Sequence, residues 1–484
     1  MDAPLTEADK KRAFNEERRR YWSDELSAYP QGRPMSRYYR RRLTGVFRQI
    51  VPPGRRVLEI GCGAGRLLAA LQPAYGVGVD FSEQAVETAR RDRPHLEFML
   101  ADAHDFDVSE TFDFIILSDL INELWDVQAV LRRVRKLCAP HGRVVINSYS
   151  RLWQLPLALA KRLRLAAPVL DQNWLTPDVI RAMLALEGFD VVRRRSEILC
   201  PVAIPIVSRL CNRWLVKLWP FRVAALTNVF VARPIPSEQT AEHRNPPLVS
   251  VIVPARNEAG NVEQIFERTP EMGAGTELVF VEGGSSDNTA ETIEAEVQRH
   301  PERRARLLRQ TGRGKGDAVR LGFSKAKGDV LMILDADATV PPESLPRFYE
   351  AIAEGRADFV NGARLVYPME KGAMRFFNIL GNKFFSLLFT WLLDQPVHDT
   401  LCGTKAMRKR DYERIAENRL YFGDFDPFGD FDLLFGAAKL NLKIVDMPVR
   451  YRERTYGETQ IRRWRHGLML LRMAAFAARK IKFI

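Results

Sequence analysis

The sequence has few cysteines, no apolar segment near its N-terminus, and no apolar run long enough to cross a bilayer. Its five cysteines are scattered and odd in number, which excludes a zinc spacing and a disulfide framework and indicates a reducing compartment. The N-terminal segment is charged and lacks an apolar core, so we expect no signal peptide. Because no stretch of eighteen or more residues is both free of charge and strongly apolar, we expect no membrane-spanning helix. The cysteine pattern leads us to expect a cytoplasmic location.

The composition is otherwise that of a globular protein with a strongly basic balance. The chain has 484 residues, enough for several domains, and a formal net charge of +13. An excess of positive charge favours an anionic partner, and nucleic acid, phosphorylated substrates and anionic lipid all fit. No nucleic-acid recognition motif is present, so we expect no nucleic-acid partner. The charge leaves phosphorylated substrates and lipid as the expected partners.

The first half of the chain contains a glycine turn between a strand and a helix. Residues 57–71 read VLEIGCGAGRLLAAL, and glycines at alternate positions let the backbone turn tightly and approach a ligand closely. Residues 76–80 (GVGVD) read as a second strand ending in Asp80, where a dinucleotide-type site binds the hydroxyls of a ribose. A third acidic turn follows at residues 100–103. The three features together predict a nucleotide-like cofactor site.

This pattern resembles the class I S-adenosylmethionine-dependent methyltransferases over residues 50–235. Members carry an acid and a GxGxG turn at the first strand, then an acid for the cofactor's ribose and another near its adenine. The resemblance implies S-adenosylmethionine as cofactor and the following binding residues: Glu59, Gly61, Gly63, Gly65, Asp80, Asp102 and Ala103. It identifies neither a catalytic residue nor a methyl acceptor, because no NPPY-like motif is present and positioning alone often suffices for methyl transfer. A cofactor-binding module without catalysis therefore stays open.

Two segments of this half mix apolar, aromatic and basic residues. They are residues 153–170 (WQLPLALAKRLRLAAPVL) and residues 198–221 (ILCPVAIPIVSRLCNRWLVKLWPF). Such segments lie at a lipid interface or pack on the domain as a substrate lid, and the sequence leaves both readings open. Residues 236–247 are polar and proline-rich, which predicts a linker.

The second half alternates strands and helices, and its centre is residues 331–339 (LMILDADAT). A buried apolar strand ends there in Asp335 and Asp337, at the sheet edge where open α/β folds bind ligands. Paired carboxylates suit Mg²⁺ or Mn²⁺ shared with a substrate's phosphates. Residues 313–316 (RGKG) open the helix that precedes this strand and suit a phosphate. Asp287 also suits a helix cap, and the two readings are compatible.

This half, residues 248–460, resembles the family 2 glycosyltransferases of the GT-A fold. The opening motif matches Pro254, Asn257 and Glu258, and the VDDGSxD turn matches Glu282 and Asp287, with Gly283 in place of its second acid. The metal-binding DxD matches Asp335 and Asp337, with Asp337 the more direct ligand by resemblance. The implied donor is a nucleotide sugar, a UDP- or GDP-sugar, bound by these residues together with Lys315.

Within that family the chain is most similar to the dolichyl-phosphate-mannose-synthase-like and other polyprenyl-phosphate glycosyltransferases. Residues 359–366 match a strand ending in Arg364, which the resemblance places on the donor; residues 398–405 match a segment whose acid is Asp399; and residues 453–461 match a late loop with Arg454, Gly457 and Thr459. Thr339 and Gln460 depart from the mannose-synthase pattern and weaken GDP-mannose as the donor. Asp337 and Asp399 are the predicted catalytic residues: Asp399 would orient a phosphate acceptor or act as base for a hydroxyl acceptor.

The expected architecture is α/β, with two Rossmann-like domains. We predict a basic helical extension over 1–50, a methyltransferase domain over 51–235, a linker over 236–247, a GT-A domain over 248–465 and an amphipathic helix over 466–484. Residues 376–393 and the basic, apolar tail either lie half in the inner face of the cell membrane or are core helices. We therefore expect a bifunctional enzyme, with a lipid-phosphate acceptor; a soluble acceptor with a regulatory first domain is the alternative.

Overall fold

The computed structural model describes residues 6–29, 34–162, 170–236, 245–367, 376–418, 429–454, 456 and 463–483. The chain forms two compact units, Met1–Ile235 and Pro236–Ile484. Each unit is an α/β domain built on one seven-stranded sheet, which confirms the predicted fold class. The predicted late-loop residues Gly457, Thr459 and Gln460 lie outside the described residues.

The sheet of the first unit has the strand order β3-β2-β1-β4-β5-β7-β6. Its strands are β1 (Arg56–Ile60), β2 (Tyr75–Asp80), β3 (Glu97–Leu100), β4 (Phe112–Leu117), β5 (Cys138–Tyr149), β6 (Phe189–Glu197) and β7 (Thr227–Pro234). Strands β1 to β5 are parallel, whereas β7 runs antiparallel to both β5 and β6. The carboxyl ends of the parallel strands therefore meet at one edge, and β7 begins at that same edge.

Helices cover both faces of this sheet. They are α1 (Glu7–Ala28), α2 (Pro34–Ile50), α3 (Arg66–Ala70), α4 (Glu83–Asp92), α5 (Val127–Leu137), α6 (Gln154–Arg162), α7 (Pro177–Leu186) and α8 (Val207–Arg213). The helices predicted as an extension are part of this unit, because Leu43, Val46 and Phe47 of α2 are buried in the core on one face of the sheet. Strands buried on both faces explain the continuous apolar runs in the sequence.

The second sheet has the strand order β10-β9-β8-β11-β13-β12-β14. Its strands are β8 (Val249–Ala255), β9 (Thr276–Glu282), β10 (Arg304–Arg309), β11 (Val330–Ile333), β12 (Phe359–Ala363), β13 (Lys405–Arg408) and β14 (Ile444–Pro448). Only β13 is antiparallel to its neighbours β11 and β12, so the carboxyl ends of β8, β9 and β11 again share one edge.

Eight helices accompany this sheet within the described residues: Ala259–Arg268, Thr289–Arg299, Lys315–Lys325, Leu345–Ala353, Phe376–Leu393, Lys409–Glu417, Asp430–Lys439 and Arg463–Ala477. Both helices predicted to touch the membrane contribute to the core, as Phe389 and Leu392 of the first and Leu470 and Ala477 of the second are buried. Among the described residues, no helix is long and apolar enough to span a bilayer.

Candidate functional site

In the first unit, the glycine turn after β1 is tied to the end of β2. The Gly61 N–H donates to the Val79 carbonyl at 2.8 Å, and Gly63 adopts a φ of +52°. A Cβ at Gly63 would meet nothing within 4 Å, so the turn faces open space suited to a ligand. Glu59 lies below this turn, fully buried, and its Oε2 accepts a hydrogen bond from the Leu68 N–H at 2.9 Å. Burial raises the pKa of Glu59 to about 8.

Asp80 closes the turn from the neighbouring strand. Its Oδ2 accepts from the Gly63 N–H at 2.7 Å and its Oδ1 from the Ser82 N–H at 2.9 Å. Burial raises the pKa of Asp80 above its ordinary value, and these backbone donors only partly oppose that shift. The carboxylate thus lies at the predicted ribose position, but in this structure its oxygens organise the turn. The ribose contact stays a prediction.

Asp102, predicted to contact the adenine, is bonded to helix α1. The Asn15 Nδ2 donates to its Oδ2 at 2.5 Å, while the His104 N–H and Nδ1 lie 2.8 and 2.7 Å from its Oδ1. Burial alone would raise the pKa of Asp102, but the bonds from His104 hold it below its ordinary value. Ala103 follows in the same turn and packs on the core. Helix α1 also reaches Ser82 through Ser23, with their hydroxyls 3.0 Å apart. Helix α1 therefore lies along the predicted cofactor edge.

The sequence reasoning missed a polar cluster at the end of β4. Asp119 has a φ of +55°, and its Oδ1 accepts from the Tyr39 hydroxyl at 2.7 Å and from the Asn147 Nδ2. Burial raises the pKa of Asp119, although the bonds from Tyr39 and Asn147 oppose this shift. An aspartate shortly after a buried strand at the cofactor edge could have been predicted as a site residue. Its partner Tyr39 could not, because it comes from a helix that was interpreted only as a basic extension. The cluster can position or deprotonate a substrate group.

In the second unit, the two predicted metal ligands follow β11 and each is paired with a cation. The Lys315 Nζ lies 2.5 Å from the Asp335 Oδ1, and the Arg454 Nη2 lies 2.5 Å from the Asp337 Oδ2. Burial would raise the pKa of Asp335, but the Lys315 ammonium holds it below its ordinary value. The structure thus brings together four predicted residues from three separate parts of the sequence.

The segment between Asp399 and Lys405 packs against the first of these ion pairs. A Cβ at Gly403 would collide with both the Lys315 Nζ and the Asp335 carboxylate, so a larger residue there would have to displace this ion pair. Beyond Gly403, the Lys405 Nζ lies 2.9 Å from the Asp430 Oδ1, and both side chains are buried. The sequence reasoning gave neither Lys405 nor Asp430 a role; the lysine within the quoted HDTLCGTK segment was the available signal.

Arg454 also connects the metal-ligand pair to the first motif of the unit. Its Nη1 lies 3.2 Å from the Glu258 Oε1, while the Glu258 Oε2 accepts from the Asn261 Nδ2 at 2.7 Å. Burial raises the pKa of Glu258 to about 7, and the positive charge of Arg454 opposes the shift. Glu258, Arg454 and Asp337 form a continuous charged chain. Pro254 precedes it near the end of β8.

Glu282 and Asp287, two further predicted donor residues, lie at the turn after β9, and Asn257, which follows β8, binds this turn. The Asn257 Oδ1 accepts from the Ser286 N–H at 2.8 Å, and the Glu282 Oε1 accepts from the Ser285 N–H at 2.5 Å. The Asp287 Oδ1 accepts from the Thr289 N–H at 3.1 Å, at the first residue of the helix Thr289–Arg299, but the N-cap of that helix is Asn288. The Tyr456 hydroxyl approaches Asp287 at 3.5 Å, which brings the late loop to this turn.

Arg364 and Asp399 form a buried bidentate ion pair. The Arg364 Nε and Nη2 donate to the two Asp399 oxygens at 2.7 and 2.9 Å, and the Asn382 Nδ2 and the Leu401 N–H donate at 2.8 and 3.0 Å. Burial would raise the pKa of Asp399, but Arg364 holds it below its ordinary value. A fully buried, multiply bonded carboxylate of low pKa is a poor base. The geometry favours a role for Asp399 in positioning the Arg364 guanidinium over a role as base, and both roles stay predictions.

The carboxylates of Asp335 and Asp337 suit a divalent cation that is shared with a substrate. Among the described residues there is no group of three or more His, Cys, Asp and Glu side chains able to hold a metal by themselves. Asp335 and Asp337 supply two hard carboxylates, which fits Mg²⁺ or Mn²⁺ completed by phosphate oxygens and water. The adjacent Lys315 and Arg454 suit the same phosphates.

Comparisons with known proteins give one family match in each of the two units. Residues 52–182 match the family model "Methyltransferase domain", and residues 250–416 match "Glycosyl transferase family 2". An undecaprenyl-phosphate 4-deoxy-4-formamido-L-arabinose transferase of Edwardsiella ictaluri is 28% identical over 46% of this chain and 64% of its own length. A dolichol-phosphate mannosyltransferase of Pyrococcus furiosus is 30% identical over 44% of this chain and 59% of its own length. The chain thus spans about three-fifths of the length of the curated relatives it matches.

Among solved structures, the N-methyltransferase NodS from Bradyrhizobium japonicum WM9, in complex with S-adenosyl-L-homocysteine, covers 44% of this chain and 97% of its own. It is 18% identical, with a TM-score of 0.32. The family matches fall on the two units separately, the first on the unit with the glycine turn and the second on the unit with the paired aspartates. The chain therefore carries an N-terminal methyltransferase domain and a C-terminal glycosyl transferase family 2 domain.

Proposed function

We propose that the protein is bifunctional: its second unit transfers a sugar from a nucleotide sugar to a polyprenyl phosphate, and its first unit transfers a methyl group from S-adenosylmethionine. The observation that carries the glycosyl transfer is the two ion pairs at the end of β11, in which Asp335 pairs with Lys315 and Asp337 pairs with Arg454. Two carboxylates and two cations at one strand end suit a nucleoside diphosphate and its divalent ion.

Binding of the donor diphosphate with its divalent cation needs anionic side chains for the cation and cationic side chains for the phosphates. Asp335 and Asp337 would hold Mg²⁺ or Mn²⁺, which supplies neutralisation of the leaving diphosphate. Lys315 and Arg454 lie beside these carboxylates and can bind the phosphate oxygens directly. The turn with Asn257, Glu282 and Asp287, together with Pro254 and Glu258, is proposed for the nucleotide.

The acceptor is proposed to be a phosphate because the aspartate matched to the family's acid is unsuited to deprotonate a hydroxyl. Asp399 is fully buried and paired with Arg364, so its carboxylate has little basicity left. A phosphate monoester is already a nucleophile and needs orientation and charge compensation instead. A single in-line displacement at the anomeric carbon would invert its configuration. The relatives named for undecaprenyl phosphate and dolichol phosphate support this acceptor class.

Contact with a membrane surface would deliver such an acceptor. The helix Phe376–Leu393 buries one face but exposes Leu380, Phe384 and Leu387 at helical spacing. The helix Arg463–Ala477 likewise exposes Leu468 and Leu471. Exposed Lys383 and Arg472 lie on these helices and favour anionic headgroups. We propose a peripheral location on the inner face of the cell membrane.

For the first unit, the glycine turn, Asp80 and Asp102 are proposed to bind S-adenosylmethionine, which supplies an electrophilic methyl group when bound. The open space at Gly63 suits this ligand. Asp119, held by Tyr39 and Asn147 at the same edge, is our candidate for orienting or deprotonating the methyl acceptor. The alternative is a glycosyltransferase for a soluble acceptor with a first unit that binds the cofactor without turnover. Release of S-adenosylhomocysteine would indicate methyl transfer, and binding of S-adenosylmethionine without this release would indicate the alternative.

The central test is Asp337→Asn in the full-length protein. Transfer is measured with Mn²⁺, undecaprenyl phosphate in detergent micelles and a panel of UDP- and GDP-sugars. Asparagine keeps the bond that Thr339 donates to Oδ1 but removes the charge facing Arg454. We expect transfer to fall at least about 10²-fold, as on losing one electrostatic stabiliser. EDTA should abolish transfer and leave S-adenosylmethionine binding intact.

Asp329→Asn is the matched control, because Asp329 lies just before β11, at its opposite end, where its Oδ2 accepts from the Leu248 N–H at 3.2 Å. We expect that variant to retain transfer. Full transfer by Asp337→Asn in the presence of EDTA would remove the paired aspartates from the mechanism.

A further inference from the structure

The hairpin formed by β6 and β7 carries an excursion that is long for an antiparallel connection. Residues 198–226 leave the sheet after β6 and return to it before β7, and the Leu226 N–H closes the base by donating to the Ile198 carbonyl at 2.8 Å. Inside, the Asn212 side chain accepts from the Leu199 and Cys200 N–H groups and donates to the Cys200 carbonyl. Because Asn212 lies on α8, its buried amide ties this helix to the start of the excursion and gives the excursion a defined surface.

That surface exposes large apolar side chains to an unusual degree. Ile206 is 84% exposed and Trp219 is 77% exposed. The other exposed large apolar residues of the excursion are Ile204, Val207, Leu210, Trp214, Leu218, Phe221 and Val223. Scattered exposed apolar residues are normal, but a concentration of this kind marks an interaction site.

A second segment adjoins the excursion. The Trp153 Nε1 donates to the Ala224 carbonyl at 2.9 Å, which brings the start of α6 to the end of the excursion. There Leu152, Leu155 and Leu159 are exposed, the last two one helical turn apart on α6. We call the exposed side chains of residues 151–162 and 198–226 the apolar-basic face.

The charges of this face have one sign. Neither segment contains an aspartate or a glutamate, although the whole chain has 60. Arg151, Arg162, Arg209 and Arg222 are exposed on it. Two copies of such a face would bring like charges together, whereas an anionic surface complements them. Tryptophan beside arginine is also the pairing found at membrane headgroups.

The position of the face relates it to the candidate site of the same unit. Tyr149 at the carboxyl end of β5 pairs with Thr227, and the Ser150 N–H donates to the Leu226 carbonyl at 2.7 Å. The excursion therefore emerges at the sheet edge that holds Asp119 and the glycine turn. In addition, the Asn212 Nδ2 donates to the Tyr38 hydroxyl at 3.0 Å, next to Tyr39 of the Asp119 cluster.

We propose that the apolar-basic face docks the methyltransferase unit on an anionic phospholipid bilayer. The strand ends that carry the candidate methyl-transfer site then lie near the headgroups, and the methyl acceptor is a molecule carried on the membrane. Docking itself depends on neither glycosyl transfer nor methyl transfer; only the statement about the acceptor rests on the proposed function of the first unit.

The test is flotation of the full-length protein with vesicles of phosphatidylcholine, with and without phosphatidylglycerol. Ile206→Glu combined with Trp219→Glu should lower binding to the anionic vesicles by roughly tenfold or more, because apolar burial and charge attraction both contribute. Leu186→Glu, at an exposed position of α7 outside the face, is the matched control and should bind as the parent does. Leu387→Glu reports the separate contribution of the second unit.

S-adenosylmethionine affinity and melting temperature are measured on the same samples. Vesicle binding that is unchanged in a folded Ile206→Glu/Trp219→Glu variant would overturn the proposal. So would a variant that loses only self-association, measured by light scattering, since the face would then bind a second copy. If those substitutions destabilise the fold, Arg209→Gln with Arg222→Gln decides: binding must fall for the anionic vesicles only. A failure of S-adenosylmethionine binding with intact docking would refute the proposed cofactor and leave the docking face standing.

Discussion

Replacing Asp399 by asparagine distinguishes a buried positioning residue from a catalytic base. The carboxylate accepts two bonds from the Arg364 guanidinium, a third from the Arg364 N–H at 3.1 Å, and one each from Asn382 and Leu401. Asparagine has the same size, but it is uncharged and offers only one accepting oxygen. One of the two Arg364 nitrogens that donate to Asp399 would then face the asparagine NH₂ group, which is a donor, instead of an acceptor.

The magnitude follows from burial. The Asp399 side chain is fully buried and that of Arg364 nearly so, so the variant leaves an arginine without its countercharge inside the second unit. Breaking a buried ion pair by removing one partner costs about 3–5 kcal/mol. For a domain of this size each kcal/mol lowers the melting temperature by about 2–4 °C, so we expect a fall of roughly 6–20 °C.

The assay is calorimetric unfolding of full-length protein together with the pH profile of transfer. Glu263→Gln is the control, because its pair with Arg299 is exposed and should be worth less than about 1 kcal/mol. A positioning role predicts a less stable protein with partial transfer and an unchanged pH profile. An unchanged melting temperature with a loss of about 10²–10⁴-fold in transfer, recovered at high pH, would show that Asp399 is a base and refute our reasoning.

Two further predictions concern the first unit. Asp80→Ala should weaken S-adenosylmethionine binding by about 1.5–3 kcal/mol, because it removes a charged acceptor and releases the Gly63 turn; equal affinity by calorimetry would contradict the cofactor assignment. Glu59→Gln should flatten the pH dependence of unfolding. The folded pKa of Glu59, about 8, lies above its ordinary value, so its stabilising contribution is complete below about pH 4.5 and is lost as the pH rises towards 8. At pH 8 the variant should be more stable by up to about 4 kcal/mol; a variant whose stability falls with pH as the parent's does would contradict this.

The features that could be predicted well from the sequence are those that depend on residues close together in the chain. Buried strands, the glycine turn after β1 and the acids at strand ends are local signals, and the carboxyl edge of a parallel sheet collects them wherever the strands lie. That rule was enough to bring Asp335 and Asp337 to an edge also reached by the turn with Glu282. It was also enough to predict both α/β domains.

The features that it missed depend on which distant side chain completes a pair. Asp102 and Asn15 are 87 residues apart, and Asp399 and Arg364 are 35 apart. A motif names a carboxylate but not the cation or amide that packs on it, and that partner decides whether the group is a base, a ligand or a buried anchor. The apolar-basic face shows the same limit. The sequence does not tell whether its apolar side chains are buried, as in a lid packed on the domain, or exposed, as in a docking surface.

The ion pairs of the second unit bear on how donor and metal bind. Lys315 and Arg454 neutralise Asp335 and Asp337, so Mn²⁺ alone would have to displace both cations from these carboxylates, although Arg454 would keep its pair with Glu258. A donor diphosphate offers those cations phosphate oxygens, and each ligand should therefore favour the other. We expect Mn²⁺ affinity, measured by calorimetry, to rise on the order of 5–150-fold when a nucleoside diphosphate is present. In Arg454→Gln, Asp337 loses its competing cation, so Mn²⁺ should bind more tightly alone and the coupling should shrink. Equal Mn²⁺ affinity with and without the nucleotide in the parent protein would show that these ion pairs do not compete with the metal.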